Sequence, residues 1–147
     1  MVNVSSKSPT VRTARAQARL HLGPAIIAAI EANALSKGDV FTVAKVAAIS
    51  ATKRTGDLIP LCHPLPLDAV DVDFSVEHQS GELLITSLVT VTGKTGVEME
   101  ALTAVTVAAL TVYDMCKSLD KRMVIREVKL LSKTGGKSGD FSCGDQS

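Results

Sequence analysis

A strict alternation of residue type near the start of the chain constrains the fold more than any other feature of the sequence. Within residues 11–20, one side carries Arg12, Ala14, Ala16, Ala18 and Leu20, and the other carries Thr13, Arg15, Gln17 and Arg19. A period of two is typical of a β-strand with one face towards a core. Residues 70–77 and 83–92 are also predicted as strands, and the turn at residues 79–81 predicts that they pair as an antiparallel hairpin.

Three other stretches have the apolar spacing of helices. Pro24, at a position where a first helical turn tolerates proline, opens the first helix, over residues 24–35. The second helix is predicted over residues 42–54. The third, over residues 97–119, is apolar almost all round and is therefore expected to be buried on several sides. With a last strand over residues 123–131, this order predicts an α+β fold of ferredoxin-like type, an antiparallel sheet with helices packed on one face.

Length and composition indicate one domain, residues 1–147, that ends in a Gly/Lys-rich flexible tail over residues 133–147. Hydrophobic residues make up 46% of the chain and aromatic residues only 3%, so the core must be aliphatic. The tail can also be interpreted as a flap over a ligand. Its glycines allow close backbone approach, and its lysines can neutralise phosphate.

Charge and cysteine content bear on partners and compartment. The formal net charge is +1, so no overall field draws the chain onto nucleic acid or a membrane surface, and any anion site must be local. No apolar run is expected to reach transmembrane length. Three cysteines without CxxC spacing favour a reducing compartment, the cytoplasm. The acid-free N-terminal segment resembles a transit peptide in composition, but its strand periodicity favours a place in the fold.

The proline-dense segment 58–67 holds the first candidate functional residue, His63. Prolines favour the polyproline II conformation, whose three-residue turn would place Leu61 and Leu67 on a packed edge and present His63 rigidly on another. An imidazole held in this way suits proton transfer or phosphate contact. A buried turn with a hydrogen-bonded histidine is the alternative. As a zinc site the segment is incomplete, because nothing near Cys62 and His63 completes the ligand spacing.

Charged residues of the third predicted helix form the second candidate group. Glu98 has the spacing of a capping box with Thr95, which explains it without catalysis, whereas Glu100 has no such role. Asp114 and Lys117 lie three residues apart and form either a surface ion pair or an acid/base pair that faces a cleft. Glu100 and Asp114 share a broad helix face but stand about 21 Å apart along the axis. To act on one reacting centre, they need a long ligand or a neighbouring copy of the chain.

Two Gly/Lys segments, residues 92–96 and 133–140, suggest a phosphate loop but fail its pattern. A P-loop needs a glycine five residues before its Gly-Lys-Ser/Thr, and Leu88 and Leu131 occupy those positions. Both segments can still offer backbone amides to an anion, the first at a predicted helix N-terminus.

Four strings of the sequence together resemble one family. They are SKGDVF, KRTGDLIPLCHPL, TGKTGVEMEALTAVTVAALTVYDMCK and KTGGKSGDF. From about residue 4 to residue 141, the chain resembles the molybdenum cofactor biosynthesis protein C family, the cyclic pyranopterin monophosphate synthases. The resemblance implies a ferredoxin-like subunit in a homo-oligomer, a hexamer built as a trimer of dimers, with active sites at the dimer interface.

The resemblance also implies site residues and a reaction. Catalytic positions fall on Lys37, His63, Asp114 and Lys117. Substrate-binding positions fall on Leu61, Cys62, His63, Glu98, Met99, Glu100, Lys53, Arg54 and Lys133. The family reaction converts (8S)-3′,8-cyclo-7,8-dihydroguanosine 5′-triphosphate to cyclic pyranopterin monophosphate and releases diphosphate. It needs no redox cofactor, and whether magnesium accompanies the triphosphate stays open. Lys117, tuned by Asp114, and Lys37 would then be the acid/base groups, and His63 would hold phosphate.

Two other classes of function fit some of these residues. A nucleic-acid-binding module of the RNA recognition type would stack bases on strand aromatics, but Phe74 is the only aromatic residue on a predicted strand. A non-catalytic nucleotide-sensing oligomer would use the same glycines and lysines for phosphate. Release of diphosphate separates the enzyme from such a sensor.

Overall fold

One antiparallel sheet of five strands organises the computed structural model, which describes residues 1–144. The strands are β1 (Thr10–His21), β2 (Ala69–Glu77), β3 (Glu82–Gly93), β4 (Val124–Thr134) and β5 (Phe141–Ser142). Their order across the sheet is β2-β3-β1-β4-β5. The helices are α1 (Pro24–Glu31), α2 (Val40–Thr52), α3 (Thr55–Leu58) and α4 (Glu98–Cys116).

The first four strands have the order of a ferredoxin-like fold. β1 lies between β3 and β4 and pairs antiparallel with both, and β2 and β3 form the predicted hairpin, with Glu77 opposite Glu82. α2 and α4 pack against each other and against the sheet. The alternation in β1 has the predicted direction, because its inner residues are all buried: Arg12, Ala14, Ala16, Ala18 and Leu20. The predicted α+β fold is confirmed, and β1 is a central strand.

α1 ends at Glu31, short of the predicted residue 35. Asn33 adopts a left-handed conformation with φ 50°, and the Ala34 N–H donates to the Ala29 carbonyl at 2.9 Å. This is a Schellman motif, which closes a helix through the backbone. The apolar spacing continues past Glu31, so it could not reveal this end.

α2 begins at Val40, before the predicted residue 42. Asp39 is its N-cap, and the carboxylate accepts a hydrogen bond from the Thr42 N–H at 3.0 Å. The same hydrogen bond is the main reason that the pKa of Asp39 lies below its ordinary value.

α4 begins at Glu98, and the predicted capping box is wrong. Val97 rather than Thr95 is the N-cap, and no side chain caps this end. The helix starts too late for a box between Thr95 and Glu98. The Glu98 carboxylate instead lies over Gly96, where an added Cβ would meet Oε2 at 2.0 Å.

α4 is also the central core helix. By length and composition alone it could cross a bilayer, so the expectation that no segment reaches that length is wrong. It packs against β1, β3 and β4 and against α2, and 56% of its apolar stretch is buried. The outward face exposes Met99 (38%) and Leu110 (54%), so burial on several sides is only partly realised within one chain.

The segment predicted as a flexible tail begins inside β4, which extends to Thr134 rather than residue 131. β5 then pairs with β4, with Ser142 opposite Ser132. Residues 145–147 of this segment lie outside the described residues. The assignment of the chain to one domain stays a prediction.

Candidate active site

Lys37, Asp114 and Lys117 meet at the C-terminal end of α4. Lys37, from the connection between α1 and α2, donates from Nζ to Asp114 Oδ2 at 2.7 Å and to the Asp114 backbone carbonyl at 3.1 Å. Lys117, the C-cap of α4, places its Nζ 2.7 Å from Asp114 Oδ1. One carboxylate therefore holds two ammonium groups, of which helix spacing alone indicated only Lys117.

The contacts in this group shift two pKa values. Hydrogen bonds from Lys117 and then from Lys37 lower the pKa of Asp114 to about 2. The hydrogen bond to Asp114 raises the pKa of Lys117. In the free chain Asp114 is therefore ionised at neutral pH, and Lys117 is an ammonium group that holds its proton more tightly than an isolated lysine.

A second group of predicted residues lines a cavity of about 360 Å³ at the other end of α4. Its walls are formed by Val2, Val4, Lys7, Leu61, Cys62, His63, Leu65, Thr95, Gly96, Glu98, Met99 and Glu100. The proline-dense segment supplies one wall and the first turn of α4 another. The cavity thus unites six predicted substrate-binding positions from two separate strings: Leu61, Cys62, His63, Glu98, Met99 and Glu100.

His63 is half-buried, and its Nε2 lies 2.9 Å from the Val2 carbonyl oxygen. Because a carbonyl only accepts hydrogen bonds, Nε2 carries the proton in this contact. Gly56 in α3 lets the segment that follows His63 approach closely. A Cβ at Gly56 would lie 3.2 Å from the backbone nitrogen of Pro64.

The predicted packed edge of the proline segment is wrong at Leu61. Leu61 is 71% exposed, whereas Leu65 and Leu67 pack against the core. Burial alternates from residue 63 to residue 67, which indicates an extended chain with a period of two and not a three-residue turn.

Glu100 is the buried carboxylate of this cavity, with 4% of its surface exposed. Burial raises its pKa, and the negative charge of Glu98 adds to the shift. Burial also raises the pKa of Cys62, with a further contribution from the charge of Glu100. Glu100 therefore holds a proton at higher pH than an exposed glutamate, which suits proton exchange with a ligand.

The two groups do not meet within one chain. They lie at opposite ends of α4, a helix of 19 residues, as the separation of about 21 Å between Glu100 and Asp114 predicted. A single chain therefore presents two partial sites.

Of the remaining predicted positions, only Lys53 is shown beside the second group. Lys53 lines a small cavity of about 130 Å³ together with Glu100. Arg54 follows it as the exposed residue before α3. Lys133 lies on β4 and donates to Ser138 Oγ.

Lys7 and Arg12 are cationic side chains outside the predicted site, whereas Lys137 is one of the tail lysines expected to neutralise phosphate. Lys7 lines the His63 cavity and, together with Arg12 and Lys137, a neighbouring cavity of about 330 Å³. The periodicity of β1 had placed Arg12 on the inner side of the sheet. A charged residue on an otherwise apolar inner face was the signal that could have found it.

Cavity size does not identify the site. A larger cavity of about 770 Å³ lies between the start of α1 and the connection after α4, and none of the predicted site residues lines it. Nor does metal-ligand clustering identify a site, since no group of three or more His, Cys, Asp or Glu within residues 1–144 could hold an ion.

Comparison with known proteins identifies the family of the chain. The model of the MoaC family matches residues 1–136, which include every predicted site residue. A protein named cyclic pyranopterin monophosphate synthase, from Brevibacillus brevis (strain 47 / JCM 6285 / NBRC 100599), is 54% identical over 146 residues. The aligned region covers 99% of this chain and 91% of that protein. The chain therefore belongs to the MoaC family.

Proposed function

We propose that the chain is a cyclic pyranopterin monophosphate synthase, a lyase of molybdenum cofactor biosynthesis. It converts (8S)-3′,8-cyclo-7,8-dihydroguanosine 5′-triphosphate to cyclic pyranopterin monophosphate and releases diphosphate. The observation that carries the proposal is the contact of Lys37, Asp114 and Lys117 in a chain 54% identical to a protein of that name.

Proton transfers at the rearranging ring are assigned to Lys37 and Lys117. Asp114 positions both ammonium groups and stabilises both charges. When a substrate draws Lys117 away from Asp114, the carboxylate no longer stabilises the Lys117 charge, and Lys117 gives up its proton more readily. Once deprotonated, Lys117 has the lone pair needed to accept a proton in a later step.

The His63 cavity is assigned to substrate binding. The Nε2–H group that now donates to the Val2 carbonyl can donate to a phosphate oxygen instead. Glu100 in the same cavity is assigned to proton exchange at a ring atom and not to phosphate contact, because an ionised carboxylate would repel a phosphate group. Leu61 and Met99 are exposed and offer apolar surface for the ring system.

A second copy of the chain would complete the site. Glu100 and Asp114 are equally distant in sequence from Val107, so two α4 helices crossed antiparallel about Val107 would bring the Asp114 group of one copy to the Glu100 cavity of the other. The exposed Leu110 near the middle of this helix supports such a contact. The family resemblance extends this dimer to a hexamer, a trimer of dimers.

The proposal also concerns cofactors and compartment. No redox cofactor takes part, and magnesium, if it is needed, arrives with the triphosphate. The enzyme acts in the cytoplasm, without a nucleic-acid or membrane partner, consistent with its near-neutral charge and unpaired cysteines. A non-catalytic nucleotide sensor is the alternative function.

Incubation with the cyclised nucleotide tests the proposal, with diphosphate and the pterin product measured separately. We expect the wild-type chain to release both and Lys117→Ala to lose at least about 100-fold in rate. Lys121→Ala, which removes an exposed lysine beyond the end of α4, is the matched control and should keep full activity. Nucleotide binding by the wild type without release of diphosphate would favour the sensor and contradict the enzyme.

A further inference from the structure

The last turn of α4 carries two residues of the candidate site, Asp114 and Lys117. The last four carbonyl groups of a helix lack partners within it, and helix ends therefore fray. Lys117 is the C-cap of α4, so its backbone belongs to this unstable end. Any contact that holds the last turn closed therefore helps to keep the Lys117 ammonium group 2.7 Å from Asp114 Oδ1.

Tyr113 supplies a contact of this kind. Its hydroxyl group donates a hydrogen bond to the Lys121 carbonyl at 3.0 Å. Lys121 lies in the connection between α4 and β4, residues 117–123, so this bond ties the connection back to the helix. The Tyr113 carbonyl also accepts a hydrogen bond from the Lys117 N–H at 2.9 Å. Tyr113 thus holds the chain both at Lys117 and at Lys121, four residues later.

The ring of Tyr113 is half-buried and packs against the core, which holds the hydroxyl group in place. This hydroxyl group also lies near the Lys117 ammonium group. The hydrogen bond to Asp114 is the main reason that the pKa of Lys117 is raised, and the negative charge of an ionised Tyr113 adds to the rise. The phenol is therefore close to Lys117 in space as well as in sequence.

The other contacts of the connection are local. Arg122 donates from Nη2 to Asp120 Oδ2 at 2.8 Å, and these residues are only two positions apart. The Leu119 N–H donates to the Cys116 carbonyl at 2.9 Å, which is a backbone contact of the last turn itself. Within residues 1–144, the Tyr113 hydroxyl group is thus the only side-chain group that ties residues 118–123 to α4 by a hydrogen bond.

We infer that Tyr113 is a positioning residue, whose hydroxyl group closes the last turn of α4 and so keeps Lys117 against Asp114. The inference rests on the proposed function for the role of Lys117 as an acid/base group. Tyr113 acts through Lys117 and needs no contact with the substrate. Because the bond to the Lys121 carbonyl involves no atom of Lys117, the backbone at Lys117 stays in place when its side chain moves to the substrate.

Tyr113→Phe removes only the hydroxyl group and keeps the ring that packs against the core. An NMR titration of the Asp114 carboxyl carbon in the full chain measures positioning without turnover. We expect its midpoint to rise from about 2 by roughly half a unit, because Lys117 is then held less tightly against the carboxylate. In steady-state kinetics, kcat should fall by about 3- to 10-fold while KM stays within about twofold.

Two variants of the same connection are matched controls. Asp120→Asn weakens the contact with Arg122, which does not reach α4. Lys121→Ala removes a side chain but keeps the carbonyl that accepts the bond from Tyr113. Both variants should keep the wild-type midpoint of Asp114 and the wild-type kcat.

A wild-type Asp114 midpoint in Tyr113→Phe would overturn the inference even if Tm fell, because the hydroxyl group would then stabilise the fold without positioning Lys117. An equal shift in Asp120→Asn would also overturn it, since any loosening of the connection would then have the same effect. A shifted midpoint with an unchanged kcat would support the positioning contact but remove Lys117 from the proposed chemistry. Failure of the proposed function is thereby distinguished from failure of this inference.

Discussion

Glu100→Gln should make the protein more stable and less active. Glu100 is 4% exposed, and burial raises its pKa above the ordinary value of 4.5. When folding raises the pKa of an acid, the folded protein loses stability as pH rises from the unfolded-state pKa through the folded-state pKa. The reason is that the unfolded chain ionises first. Glutamine resembles the protonated acid in shape and charge, so the variant avoids this loss.

The size of the effect follows from the burial. Each unit by which the folded-state pKa exceeds the unfolded one costs about 1.4 kcal/mol at neutral pH. We therefore expect a gain on the order of 1 kcal/mol for Glu100→Gln, which corresponds to a rise in Tm of roughly 2–4 °C. The gain should be present at pH 7 and vanish below about pH 4.5, where both states of the wild type are protonated.

Thermal unfolding at pH 7 and at pH 4, together with turnover at pH 7, would measure both effects. Turnover should fall about 100-fold if the carboxyl group exchanges a proton with the substrate. Asp71→Asn is the control. Asp71 is exposed on β2, so removal of its charge should leave Tm nearly unchanged. A lower Tm for Glu100→Gln at pH 7 would refute the reasoning, because it would mean that the ionised carboxylate stabilises the fold.

Three further results are expected. Asp114→Asn should reduce turnover by about 100-fold or more with little change in Tm. Asp120→Asn, which removes a half-buried carboxylate that also has a pKa of about 2, should leave turnover unchanged, and steady-state kinetics would compare the two variants. An NMR titration of the Asp114 carboxyl carbon should have its midpoint near pH 2, so that any stabilisation by this ion pair is complete above pH 3.8 and lost as pH falls through 2; a midpoint near 3.8 would contradict the contact with Lys37 and Lys117. Leu83→Ala, at a fully buried position of β3, should cost about 2–5 kcal/mol in the free energy of unfolding, measurable by urea denaturation, and a cost below 1 kcal/mol would contradict its place in the core.

Periodicity in the sequence was enough to predict β1 to β4 and the helices α1, α2 and α4, but not α3 or β5. The alternation in β1, the hairpin of β2 and β3 and the long apolar α4 are local patterns, and each strand or helix buries the face that its pattern indicates. Helix ends were harder to predict from the sequence, because they depend on the backbone conformation of single residues such as Asn33. The extended path of the proline segment depends on which of its leucines reach the core, and a pattern of prolines does not reveal this.

Only part of the candidate site could be predicted from the order of residues in the sequence. The Asp114–Lys117 pair follows from helix geometry, and the distance to Glu100 already implied two partial sites. The contact of Lys37 with Asp114 joins residues 77 positions apart, and only the folded chain brings them together. The same holds for Arg12, whose inward direction was predictable but whose contact with the Gly93 carbonyl, 81 positions away, was not. Periodicity indicates which face of a strand or helix is buried. A charged site depends on which side chains, distant in sequence, come into contact, and that is decided by how the strands and helices pack.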